Sequence, residues 1–265
     1  MSLLAPAPQS IGQVLDRGFR LFRNTLVQML PLTSLYALFG TLPALFDLVR
    51  IRMPDQTSLV VLSVVGSVAC TLISFVLMIA VIRYLDDLAE ERHQMTRWQA
   101  FWGAWRQVLP LIFITLVMGL LIMVGFVLLI VPGVWAMVGF SLCWYLRILD
   151  REGVFECLAK SWNLVRGHWW RSATVLGTAT LLYLAVYVAC IAVLALLLPF
   201  GQIGDILTQS ESVGTLALLA YLVGNAVLSA VLYPLIYAIP LVLLRDLQVR
   251  KGGDDLAARI DQSVT

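Results

Sequence analysis

Three groups of residues in this 265-residue chain have types and spacings that chemistry uses. Glu90 and His93 stand three apart, with Asp86 and Asp87 a turn earlier, the arrangement found in carboxylate-bridged di-metal sites. Such a site needs a second pair of this kind on a facing helix. The other histidine, His168, has no acidic neighbour at that spacing, so the segment reads as a solvated acidic stretch. Asn225 and Ser229 lie one turn apart, with Tyr221 a turn earlier, and Tyr183 and Tyr187 form a similar pair. In lipid, such uncharged polar groups bond helices together, or they line a polar pocket for a headgroup or solute. The third group is Arg23, Arg106 and Arg166, each closing a segment that carries aromatics, among them Trp102, Trp105 and Trp162. Guanidinium groups suit bidentate phosphate contact. No phosphate-binding glycine loop, dinucleotide fingerprint, nucleophile elbow or zincin pattern occurs. The expectation is therefore a protein with no catalytic residues, no metal and no cofactor, and not an enzyme.

What must position these groups follows from composition. The chain is 60% hydrophobic and 13% charged, about half the charged share of a soluble domain. Charge-free runs cover 24–46, 56–82, 107–146, 172–204 and 212–244, each longer than the roughly 20 residues that cross a bilayer core. As one helix, the 107–146 run would reach roughly 60 Å, twice that core. Pro132-Gly133 inside it is a turn signal, so the run divides in two. The expected architecture is all-α and integral to the membrane. Six transmembrane helices fall at about 26–49, 59–82, 108–131, 134–149, 173–199 and 214–244, in one polytopic domain over 1–250. Residues 251–265 are polar and read as a loose cytoplasmic tail with a short helix at 254–262.

Sixteen of the eighteen basic residues fall in segments 1–27, 83–107, 147–172 and 245–265. Basic segments stay on the cytoplasmic side, so both termini are expected there. With position zero at Arg23, Arg106 and Arg166, position −8 holds Leu15, Trp98 and Leu158, position −4 holds Phe19, Trp102 and Trp162, and position −1 holds Phe22, Trp105 and Val165. These steps put apolar groups on one helical stripe. They predict three interfacial amphipathic helices, at about 9–24, 86–106 and 153–168, and three repeats of interfacial helix plus two-helix hairpin. Such helices anchor hairpins, or contact the anionic inner leaflet directly. Cys70, Cys143, Cys157 and Cys190 are read as reduced packing residues.

Val131-Pro132-Gly133, Arg147-Ile148-Leu149-Asp150, Glu152-Gly153-Val154-Phe155, Lys160-Ser161-Trp162-Asn163-Leu164 and Gly167 together resemble the YciC-like family of bacterial inner-membrane proteins. The opening Gly12, Leu15, Gly18-Phe19 and Leu21-Phe22-Arg23 looks like the start of related members, and 131–175 is also similar to the membrane domain of some glycerophosphodiester phosphodiesterases. The resemblance implies a plasma-membrane protein of about six spans and carries over no catalytic residues. The function expected is envelope or lipid homeostasis, or a scaffold. Its partners would be anionic inner-leaflet lipids and a membrane protein or second copy, and no nucleic acid. The alternative is a permease for a lipid or small solute, with a polar pocket between spans one, five and six.

Overall fold

A computed structural model describes residues 9–52, 56–92, 94–196 and 215–264. The described residues are helical, in the order α1 (Ile11–Arg52), α2 (Thr57–Ala89), α3 (Arg97–Trp105), α4 (Val108–Leu128), α5 (Ile130–Phe140), α6 (Cys143–Tyr145), a π turn (Leu146–Asp150), α7 (Val154–Arg166), α8 (Trp169–Leu196) and α9 (Thr215–Val264). Six helical stretches are long and apolar enough to cross a membrane: Ile11–Asp47, Thr57–Ala89, Val108–Leu128, Ile130–Asp150, Trp169–Val193 and Leu219–Gly253. At about 1.5 Å per residue, α1, α2 and α9 all exceed the roughly 30 Å apolar core, so they project beyond it. Their projecting ends carry the charges that organise the protein.

Four features differ from the sequence expectation. The segment 9–24 is not a separate interfacial helix, because α1 runs unbroken from Ile11 through Pro31 and Pro43, holding Val14, Leu21 and Met29 in the same core. The second amphipathic helix begins at Arg97, where Thr96 caps it with a side-chain bond from Gln99 N–H, while residues 86–89 belong to α2. Residues 251–264 are not a loose tail in their backbone but continue α9.

The break in the third apolar run lies at Leu129, not at Pro132-Gly133. Leu129 alone is extended (φ −170°, ψ 158°), ending α4 and capping α5. Pro132 then occupies the first turn of α5, where a missing N–H costs little. Gly133 serves close approach: a Cβ there would sit 2.5 Å from the Phe126 ring, and one on Gly125 would sit 3.0 Å from Gly133 Cα.

α1 packs along both α2 and α9, α8 lies against α9, and α4 pairs with α5. The core joins Leu77, Ile79, Ile82 and Leu85 of α2 to Ile239, Leu241 and Leu244 of α9 and Leu142 and Leu146 near the π turn. Between α5 and α6 the chain bends, and α7 fills the bend: Ser161 Oγ donates to the Gly139 carbonyl at 2.7 Å, and a Cβ on Gly139 would lie 2.6 Å from the Trp162 ring.

One end of the bundle is tied by charge. Asp246, 1% exposed, accepts Gln9 N–H on Oδ1 at 2.8 Å, and on Oδ2 accepts Arg171 at 2.8 and 3.2 Å and Arg250 at 3.0 Å. Arg250 also donates to the Gln9 carbonyl. Arg245 bonds Asp86 at 2.9 Å and Glu90 at 3.0 Å, joining α9 to the end of α2. Gln248 and Lys160 both reach Asp150, so the π turn and α7 enter the same network.

Removing one member of a buried ion pair leaves uncompensated charge and costs about 3 kcal/mol or more. Asp246→Asn should therefore lower the melting temperature in detergent measurably. Asp16→Asn, which removes an α1 pair whose side chains are 58% and 65% exposed, should leave it unchanged. Equal shifts would show that the Asp246 cluster does no more than a surface pair.

Candidate binding site

Beside this network, α2, α3 and the π turn border a half-open cavity of about 660 Å³ lined by Arg83, Trp102, Gly103, Trp105, Arg106, Gln107, Arg147 and Arg151. Four arginines therefore line one space, and no carboxylate is among its described lining residues. Each element contributes for a local reason. α2 brings Arg83, the first charge after its apolar run. Arg83 stands four residues before Asp87, a spacing at which helical ion pairs form. Asp87 Oδ2 instead accepts Met95 N–H at 3.2 Å, while Asp86 is held by Arg245. The Arg83 guanidinium turns to α3, so close that a Cβ on Gly103 would lie 2.2 Å from Nη1. Gly103 is thus the notch that admits it.

On the opposite wall, the π turn ends at Arg151 in the left-handed region (φ 56°, ψ 28°). That conformation costs a non-glycine residue on the order of 1 kcal/mol. The reversal turns two carbonyls toward Arg147, whose Nη1 donates to Arg151 O at 3.1 Å and Glu152 O at 2.6 Å. Arg147 is thereby fixed with its Nε still unpaired. Arg83 Nη1, Gln107 Oε1 and Arg147 Nε are buried atoms with no hydrogen-bond partner among the described residues. Buried polar groups rarely stay unsatisfied, and all three belong to residues that line the cavity. A second cavity of about 190 Å³ shares Arg83 and Arg151 and adds Asp86, Asp87, Arg92 and Met95. On the other flank of α3, Pro31, Leu32, Leu35, Leu77, Arg97, Trp98 and Phe101 line an apolar groove of about 210 Å³.

Of the residues singled out in the sequence, Arg106, Trp102 and Trp105 line the arginine cavity. Arg23 is exposed on α1 and Arg166 at the end of α7, and neither lines it. Trp162 packs against Trp135 at 4.9 Å and Phe140 at 5.4 Å, between ring centroids. The three segments with the common register are not alike in burial: Trp98, Trp102 and Trp105 of α3 are all more than half exposed, whereas Leu158 and Val165 of α7 are core residues. Arg83, Gly103, Gln107, Arg147 and Arg151 were not among the sequence candidates. Their one signal was that Arg83 and Arg147 are the first charges after apolar runs, which marks a span end equally well.

The polar set of the last two spans does come together. Tyr187 Oη donates to Asn225 Oδ1 at 3.1 Å, Ser229 Oγ donates to the same oxygen at 3.2 Å, and Tyr183 stacks on Tyr187 with centroids 5.9 Å apart. Another cluster lies nearby, where Tyr36 of α1 and Tyr237 of α9 share a hydrogen bond of 3.0 Å. These groups satisfy one another. His93 lies outside the described residues, so the metal-like spacing is untested there. Among the described residues, no group of three or more His, Cys, Asp or Glu side chains is placed to hold a metal.

Cys157 on α7 is buried against the Glu152 carbonyl, and burial pushes its thiol up to about 11. It is therefore a thiol, not the reactive thiolate, at neutral pH. Iodoacetamide at pH 7.5 should leave it unmodified in the folded protein and label it in denaturant; labelling at equal rates would contradict its burial. Asn225→Leu removes the shared acceptor of two hydroxyls and should cost about 0.6–1.7 kcal/mol, read as a lower melting temperature.

A family model described as an uncharacterised protein family, UPF0259, matches residues 21–223. A UPF0259 membrane protein of Pectobacterium carotovorum subsp. carotovorum is 30% identical over 125 residues, 47% of this chain and 50% of its own length. One from Photorhabdus laumondii subsp. laumondii is 26% identical over 118 residues, 44% and 46% of the two chains. The matched stretch spans about half the length of these curated relatives. No solved structure matches.

Proposed function

We propose a function for this chain, which belongs to the UPF0259 family, the family expected above as YciC-like: a non-catalytic multi-pass membrane protein that holds anionic lipid in its arginine cavity and serves lipid or envelope homeostasis. The observation that carries this reading is the convergence of Arg83, Arg106, Arg147 and Arg151 on one cavity with no carboxylate among its described lining residues. Exposed Trp102 and Trp105 at its edge favour the headgroup layer. The basic bias of the connecting segments supports placement of this end, and of both termini, on the cytoplasmic side of a bacterial inner membrane. The original grouping of Arg23, Arg106 and Arg166 narrows to Arg106 with three new partners. For the permease alternative, the polar set would have to line a water-filled path. Its mutual hydrogen bonds support helix packing instead.

Lipid extracted from protein purified in mild detergent and quantified by mass spectrometry tests the reading. Arg83→Gln with Arg106→Gln should lower retained anionic lipid several-fold, and Arg23→Gln with Arg166→Gln should not. Equal retention in all three proteins would overturn it. Reporters fused near residues 94, 160 and 255 should sit in the cytoplasm, and those near 55 and 205 outside. A cytoplasmic signal at 205 would refute this topology.

A further inference from the structure

Resting on the lipid reading, we propose that the arginine cavity selects a membrane lipid ending in a phosphomonoester or diphosphate over the phosphodiester of ordinary glycerophospholipids. Charge is the first argument. Guanidinium groups stay protonated at all physiological pH, and the nearby carboxylates are engaged elsewhere: Asp86 by Arg245, Asp87 by the Met95 N–H. A phosphodiester brings one negative charge, while a phosphomonoester carries about 1.5 to 2 near neutrality because its second ionisation lies near pH 6. Four cations around one space favour the higher charge, since Coulomb attraction scales with the charge on the ligand.

Geometry is the second argument. Arg83 on α2 and Arg147 on the π turn come from different walls, and Arg106 and Arg151 line the same cavity. A terminal phosphate offers three acceptor oxygens in different directions, against two for a diester. The volume of about 660 Å³ is in the range of small-molecule sites and accommodates a second phosphate. The lipid source, rather than a free anion, is favoured by the apolar groove on the other flank of α3. There Leu32, Leu35 and Leu77 lie beside Trp98 and Phe101, with Arg97 among the lining residues.

The test uses the full chain in nanodiscs of zwitterionic lipid, doped with either phosphatidic acid or phosphatidylglycerol at matched surface charge, with bound lipid read by native mass spectrometry. Phosphatidic acid should be retained at least about tenfold better at pH 7.5. The preference should shrink as pH falls below about 6, where the monoester loses its extra charge. Arg83→Gln should abolish it. Should that variant misfold, Gly103→Ala keeps every charge and displaces only the guanidinium end of Arg83, and it should cut the preference at an unchanged melting temperature. Equal retention of the two lipids, still lost in Arg83→Gln, would overturn this inference and leave the lipid reading intact. Retention insensitive to the arginines would sink both. In a third arm, inorganic pyrophosphate should fail to displace phosphatidic acid at equal concentration; complete displacement would show that the cavity takes a soluble anion and would overturn the lipid source.

Discussion

The carboxylate of Asp246 is the point on which the arrangement of this protein turns. Helices already in lipid gain little from burying more apolar surface, because lipid tails are as apolar as leucine. Their relative placement has to come from shape and from polar contacts. Asp246 collects Gln9, two residues before α1, the first turn of α8 and two turns of its own helix into one buried cluster. On the same turn of α9, Arg245 and Gln248 reach Asp86 of α2 and Asp150 of the π turn. The walls of the arginine cavity are therefore fixed from α9, although no described side chain of α9 is among the lining.

The contrast between α3 and α7 shows how little a shared register settles. Both carry large apolar groups at the same three positions before an arginine. α7 follows a bent segment, and its Ser161 and Trp162 enter the bend at Gly139, so its stripe faces the core. α3 meets no such recess. Its contact with α2 is made through Ala100, Gly103 and Ala104, which are small, and through Arg83. The indoles are left facing outward, which is why the arginine of α3, and not that of α7, lies beside a cavity.

Much of the fold could be read directly from the chain. Apolar runs longer than a bilayer core marked six helices, and the clustered basic residues marked their charged ends. The finer features could not be read because each rests on a choice between equivalent local options. Arg83 could have paired with Asp87 on its own helix; a glycine notch on α3, distant in sequence, draws it away. Pro132-Gly133 is a legitimate turn signal, yet proline is equally at home in a first helical turn, and only the packing of Gly125 on Gly133 moves the break to Leu129. Pro31 gives the same lesson, since α1 continues through it where its partners α2 and α9 run alongside.

The single-residue hinge at Leu129 has a consequence for how the protein sits in its membrane. Leu128, Leu129, Ile130 and Val131 are 69–78% exposed at the tip of the α4–α5 hairpin. Placed in water, each would forfeit on the order of 1.5–3 kcal/mol of transfer free energy. A tip with no polar loop cannot emerge into solvent, so α4 and α5 must enter the bilayer together, as one wedge whose depth is set by the hydrocarbon itself. The base of the hairpin is held by charge through Asp150 of the π turn, so hydrocarbon thickness acts on its tip while polar contacts hold its other end. Thinning the bilayer would press its tip outward and load the strain onto the π turn at its base.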